Sequence, residues 1–176
     1  GIKECPIVNS SIDKDEIIVH NELNMGIAVA SSAGLIVPVI KDVFDKSLTS
    51  IAAEIYRLVT SANSGNLAHS DVTSGTFTIN NTGALGSNLS KPIIVPGQAA
   101  IMTTEEINKK PVVVPFDSKR TELQVPINKQ EAIEIRSIMN LCLSFDHRIM
   151  DGSHAANFLN CVKTLMESFG KDTALD

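Results

Sequence analysis

Ile133-Glu134-Ile135-Arg136-Ser137-Ile138-Met139-Asn140-Leu141-Cys142-Leu143-Ser144-Phe145 runs into Asp146-His147-Arg148-Ile149-Met150-Asp151-Gly152, and this stretch decides the fold. Ile133, Ile135, Met139, Leu141, Leu143 and Phe145 share one side of an alternating pattern. Glu134, Arg136, Asn140, Cys142 and Ser144 share the other. A period of two is that of a half-buried strand, so one long strand is expected over 133–145. Past His147 the period changes. Ala155, Phe158, Leu159, Val162, Leu165, Met166 and Phe169 recur at helical spacing from near Gly152, and Gly170 closes the run. The chain therefore passes from strand to helix through His147. An imidazole titrates near neutrality, and such a junction presents it as a general base. Asp151 stands where a helix N-cap belongs, so it is expected both to fix the turn and to bias the imidazole's surroundings.

Working outward, strand formers occupy 17–20, 25–30 and 35–40, with Ser31-Ser32-Ala33-Gly34 as the turn between the last two. Pro38 marks an edge or a break in pairing. Ser47 caps a helix whose apolar positions are Leu48, Ile51, Ala52, Ile55, Leu58, Val59 and Ala62, and Gly65 falls just beyond its end. Gly75–Ile79 reads as a strand entering Asn80-Asn81-Thr82-Gly83-Ala84-Leu85-Gly86-Ser87. That loop is too apolar for a linker and fits a buried or interfacial position with positive φ angles. Strands are also expected at 99–104 and from Pro111 to Pro115, with a polar surface excursion over 117–129. Strands outnumber helices and do not alternate with them regularly. The fold class is α/β, a mixed β-sheet covered by helices rather than a doubly wound parallel sheet.

Bulk properties exclude several functions. The chain has 176 residues, 43% of them hydrophobic and 20% charged, with a net charge of −5. That length supports one domain with a real core. The acidic balance opposes a nucleic-acid surface, and no apolar run approaches a membrane span. Cys5, Cys142 and Cys161 are widely spaced and odd in number, so they read as free thiols in a reducing compartment. His147, Asp151, His154 and His20 do not form a known zinc pattern, so no metal is expected. Gly83 and Gly86 lack the companions of a phosphate-binding loop.

Asp146-His147-Arg148-Ile149-Met150-Asp151-Gly152 matches D-H-R-x-x-D-G in full. Together with Asn140–Phe145, Gly75–Gly83, Gly26-Ile27-Ala28-Val29 and Gly34–Ile40, it makes the chain resemble the catalytic domain of dihydrolipoyl acyltransferases of 2-oxo-acid dehydrogenase complexes. H-x-x-x-D-G alone also occurs in chloramphenicol acetyltransferases, and the resemblance implies their two-layer sandwich. The implied reaction moves an acyl group between dihydrolipoamide and coenzyme A. The lipoyl group would come from a separate lipoyl domain. His147 resembles the base that takes the thiol proton, and Asp151 the motif carboxylate. Many members carry Ser or Thr at the position of Asn80 as donor to the oxyanion. Here the Asn80 amide is expected to take that role, with Thr82 or a backbone N–H as alternatives. The Asn80-Asn81-Thr82-Gly83 loop is similar to branched-chain-type bacterial members.

The resemblance also implies a homotrimer, with His147 of one chain facing the Asn80 loop of its neighbour, assembling into a cubic or dodecahedral core with the other subunits of the complex. A cytoplasmic location follows, or a mitochondrial matrix. Relatives carry an opening segment ahead of the part resembling Glu4–Asn9, with an Arg that pairs with the counterpart of Asp151. On this reading residues 1–176 are a shortened catalytic domain, lacking that segment, the lipoyl domain and the subunit-binding domain. Two other readings stay open: a catalytically silent scaffold of the same fold, and a soluble acyltransferase of the chloramphenicol type.

Overall fold

A computed structural model describes residues 1–31, 34–117, 124–128 and 130–170. Parts of the expected turn at 31–34 and of the excursion at 117–129 lie outside the described residues. In chain order the strands and helices are β1 (Ser10–Asp13), β2 (Glu16–Val19), β3 (Met25–Ile27), β4 (Val29–Ser31), β5 (Gly34–Ile36), β6 (Val39–Ile40) and α1 (Leu48–Ser64). They continue with β7 (Phe77–Asn81), β8 (Ala100–Thr104), β9 (Asn108–Pro115), β10 (Val125–Pro126), β11 (Glu131–Ile138), β12 (Leu141–Phe145) and α2 (Gly152–Ser168).

The central sheet has the order β12-β8-β7-β3-β6. β7 runs parallel to β3 and to β8, and the two outer pairings are antiparallel. The expected mixed sheet with helices is the observed architecture. One face is apolar. Phe77, Met102, Leu143 and Phe145 join Ile149, Met150 and Phe158 in the main core. Phe77 and Phe158 meet edge to face, with ring centroids 5.6 Å apart at 67°. That contact docks α2 on the sheet. Alternation puts Thr78, Asn80, Thr103 and Cys142 on the opposite face.

α1 forms as its sequence dictates. Ser47 Oγ accepts from the Ser50 N–H at 3.2 Å, and Gly65 closes the helix at φ +71°. Leu58 and Ala62 are its buried residues, and it packs beside β4 and β6.

Three expectations need correction. The strand over 133–145 is two strands in two sheets. β11 pairs with β9 and β10, whereas β12 joins the central sheet. Between them Asn140 O accepts from the Glu105 N–H, and its side chain donates to Asn88 O at 2.7 Å. Ser137 had already broken the apolar alternation at that point. In β11 the faces are also reversed. Ile135 is 70% exposed while Glu134 is 2% exposed and ion-paired to Arg136.

The pair of strands expected at 25–30 and 35–40 is one bent hairpin. Ala28 still donates to Ile79 O of β7, and beyond it the arms β4 and β5 pair as a separate two-stranded sheet. Pro38 breaks the pairing as expected, separating β5 from β6. Finally, α2 buries Ala155 and Phe158, but Leu165, Met166 and Phe169 are about half exposed. The helix stops at Phe169 in an extended conformation, one residue before Gly170. Among the described residues no helix is long and apolar enough to cross a membrane.

Candidate active site

β12 delivers the chain to Asp146, whose N–H donates to Ala99 O at 2.8 Å. Asp146 O then accepts from the N–H groups of Ile149 and Met150. Those two side chains are buried. His147 is thus the exposed crest of a turn anchored on both sides, and its ring lies 5.5 Å from that of Phe145. Among the described residues its imidazole accepts and donates no hydrogen bond.

The flanking charges pair with each other instead of with His147. Arg148 grips Asp146 through Nε at 3.0 Å and Nη2 at 2.6 Å. That hydrogen-bonded guanidinium holds the Asp146 carboxyl below the usual carboxylate range. Asp151 caps α2, its Oδ1 accepting from the N–H groups of Ser153 at 2.9 Å and His154 at 3.1 Å. The same oxygen meets Ser153 Oγ and His154 Nδ1, each at 2.7 Å. The Ser153 hydroxyl, then the His154 amide and ring, push the Asp151 carboxyl far below its ordinary value. Within the chain no hydrogen bond joins the Asp151 carboxylate to His147 among the described residues. Capping geometry turns the carboxylate along the helix, and the histidine it meets is His154.

Asn80 lies on β7, half-buried, opposite Thr103 of β8. Its amide makes no hydrogen bond among the described residues. Thr82 is committed elsewhere. Its hydroxyl lies 2.9 Å from Glu105 Oε2, to which it donates. A hydroxyl has one proton, so Thr82 cannot also donate to an oxyanion while this bond stands. Gly83 has a steric role. A Cβ there would come within 2.3 Å of the Glu105 carbonyl carbon and oxygen. Gly86 closes the following turn at φ +81°.

Glu105 was not singled out in the sequence. It is 2% exposed and accepts from Thr82, Ser90 and Thr103. Burial alone would raise its carboxyl, but hydrogen bonds from Ser90, Ser87, Thr103 and Thr82 outweigh it and lower it to about 2. The only trace in the sequence is Thr103-Thr104-Glu105, which places a carboxylate two residues beyond a buried threonine on the same strand face.

One chain does not bring His147 and Asn80 together. Phe145 is opposite Ala100, while Asn80 is opposite Thr103, two strands away. With ~3.3 Å per residue and ~4.8 Å per strand, the backbone at Phe145 is on the order of 14 Å from Asn80, and His147, two residues beyond it, lies farther still. A cavity of about 380 Å³ lies beside the His147 turn, lined by Ile12, Val95, Gln98, Asp146 and Arg148 among others. A larger apolar groove of about 710 Å³ runs between α2 and the 137–141 bend and touches none of the candidate residues. No group of three His, Cys, Asp or Glu among the described residues is placed to hold a metal ion.

The chain matches the family model for the 2-oxoacid dehydrogenases acyltransferase (catalytic domain) over residues 1–172. It is 40% identical to the lipoamide acyltransferase component of the branched-chain alpha-keto acid dehydrogenase complex of Bacillus subtilis, over 99% of this chain and 38% of that protein. It is 42% identical to the succinyltransferase component of the 2-oxoglutarate dehydrogenase complex of Bartonella vinsonii, over 95% of this chain and 37% of that one. The chain thus spans under two fifths of these curated relatives. Among solved structures, a probable dihydrolipoamide acetyltransferase of Listeria monocytogenes superposes with a TM-score of 0.86 at 42% identity, over 99% of this chain and 69% of the other. The cubic core of a pyruvate dehydrogenase multienzyme complex gives 0.82 at 31% identity, over 95% and 63%.

Proposed function

The chain belongs to the family of 2-oxoacid dehydrogenase acyltransferase catalytic domains, and from that premise we propose that it transfers acyl groups between dihydrolipoamide and coenzyme A. Residues 1–176 act as one catalytic domain, and a separate lipoyl domain presents the lipoyl group. His147 takes the proton of the attacking thiol, whose ordinary pKa of about 8.5 leaves it mostly protonated at neutrality. The sulfur adds to the thioester carbonyl, and a tetrahedral oxyanion forms. The Asn80 amide donates to that oxygen. The intermediate collapses, expels the second sulfur, and the imidazolium returns the proton to it. Asp151 holds the turn through the α2 cap and touches neither substrate.

One observation carries this reading: the separation of His147 from Asn80 within the chain. An oxyanion donor must lie about 3 Å from the reacting oxygen. A site built from both residues therefore needs a second copy, with His147 of one chain facing Asn80 of its neighbour in a homotrimer. Exposed Leu85, Leu89 and Ile93 beside the Asn80 loop supply an apolar surface for that neighbour to cover. The relative that forms a cubic core supports assembly of trimers into a larger particle. The Bacillus subtilis relative supports branched-chain acyl groups as the substrate class, and the bacterial relatives support a cytoplasmic location.

The test is complementation. His147→Ala and Asn80→Ala variants of the full-length protein are each assayed, then unfolded together and reassembled as a mixture. If neighbours share the site, random assembly restores about a quarter of the parental activity, because one site in four pairs an intact His147 with an intact Asn80. A mixture as inactive as its components overturns the shared site. A parent that assembles yet transfers no acyl group overturns the enzyme reading and leaves a scaffold.

A further inference from the structure

The buried Glu105 lies outside the chemistry described so far, and its surroundings are unusual for a carboxylate. Hydroxyls from three separate segments converge on it. Thr82 comes from the turn after Asn80, Ser90 from the excursion before β8, and Thr103 from β8 itself. Thr103 is the cross-strand partner of Asn80, so one arm of the cluster starts one strand spacing, ~4.8 Å, from the Asn80 backbone. The backbone adds to it. Thr82 N–H donates to Thr104 O at 3.1 Å, Glu106 N–H donates to Ser87 O at 2.7 Å, and Gly83 lies flat against the 105–106 peptide.

We propose that Glu105 is a positioning residue for acyl transfer, acting through Asn80: its carboxylate locks the 82–90 segment to the end of β8 and so fixes the direction in which the Asn80 amide donates. This rests on the acyltransferase reading above. A carboxylate is suited to the task because it only accepts hydrogen bonds, so every hydroxyl around it must point inward. A neutral amide would accept on one atom and donate on the other, and about half of the cluster would have to reverse. The segment needs such a lock. It carries Leu85, Leu89 and Ile93 at 81%, 74% and 90% exposure, so it has little apolar burial of its own to hold it. The carboxylate also occupies Thr82, so of Thr82 and Asn80 it is Asn80 whose side-chain donor stays available.

The experiment is a double-mutant cycle in the full-length protein, reading acyl transfer from acyl-CoA to dihydrolipoamide. Glu105→Gln should lower kcat by about tenfold or more, since small misplacements of a catalytic group are costly. KM for both substrates should stay within about twofold, because substrate binding is not what the clamp holds. In an Asn80→Ala background the same change should cost almost nothing further, because its target is gone. Thr82→Val, which removes one arm of the clamp, should give a smaller kcat loss of the same kind and serves if the Gln variant fails to assemble. Amide hydrogen exchange over 82–90 should quicken in both variants while β12 is unchanged. An active parent whose Glu105→Gln variant keeps its kcat overturns the proposal, as does an equal loss with and without Asn80. An inactive parent instead overturns the acyltransferase reading on which the proposal rests; unchanged exchange over 82–90 overturns the clamp itself.

Discussion

Around His147, side-chain hydrogen bonds join residues two or three positions apart: Arg148 to Asp146, and Asp151 to Ser153 and His154. Around Asn80 they reach from Thr82 to Ser90 and on to Glu105, 8 and 23 positions away. The first turn is assembled from its own sequence and leaves its imidazole exposed. The second depends on a buried charge supplied by the far end of another strand. A local device tolerates changes elsewhere in the fold, whereas a long-range one links the geometry of Asn80 to the integrity of the sheet.

The largest effect tests the local half. His147→Ala should lower acyl transfer by ~10²–10⁴-fold, the usual worth of a positioned general base. Because the side chain is exposed and makes no hydrogen bond among the described residues, the melting temperature should hardly move. A variant that unfolds early instead would show that the imidazole supports the turn, and the contrast with Asn80 would weaken.

Gly83→Ala should strike the long-range half in stability as well as activity. The new Cβ would meet backbone at 2.3 Å, where no flexible side chain can give way. Forced overpacking of this kind costs ~1–3 kcal/mol, read as a lower denaturation midpoint, with a fall in kcat as the loop moves off Glu105. An unchanged midpoint would mean that the loop is looser than its contacts indicate.

The same contrast explains how much was legible in the sequence. Period and capping identified α1, α2, the strand into Phe145 and the turn at His147, because each depends on neighbours in the chain. Ser47 and Gly65 bound α1 as read. The failures involve contacts between distant segments. Ile133–Phe145 alternates almost without interruption, yet it splits at Asn140 because Asn88 and Glu105 capture that residue. Nothing in the local pattern distinguishes β11, exposed on its apolar side, from β12, covered by α2. Glu105 carries no local signal beyond following a strand, and its surroundings emerge only from the convergence of Ser90, Thr103 and Thr82.

Acid should separate parent from variant at Glu105. Its folded carboxyl, lowered to about 2 from an ordinary 4.5, favours the charged form. The stability it contributes is therefore present above the unfolded value and is lost as pH falls through the folded one. Urea midpoints should show the parent losing stability between pH 4.5 and pH 2, with Glu105→Gln declining less over that window. Parallel curves would indicate that Glu105 is not ionised in the fold.

The smallest effect returns to the local half. Asp151 is exposed, and its carboxyl is held below its ordinary value of 3.8 by Ser153 and His154. Asp151→Ala removes the cap and should lower the melting temperature by a few degrees at neutral pH; Asp151→Asn keeps a good capping side chain and should stay close to the parent. The parent's advantage over Ala should persist above the ordinary carboxylate range and fade as pH falls through the depressed folded value. Activity then separates two roles for this carboxylate. If Asp151 serves only to set the turn, the Asn variant transfers acyl groups nearly as well as the parent, because cap and turn survive. If the Asn variant is as inactive as His147→Ala while melting normally, the negative charge itself acts on the imidazole. The His147 turn would then depend, like the Asn80 loop, on a charge as well as on shape.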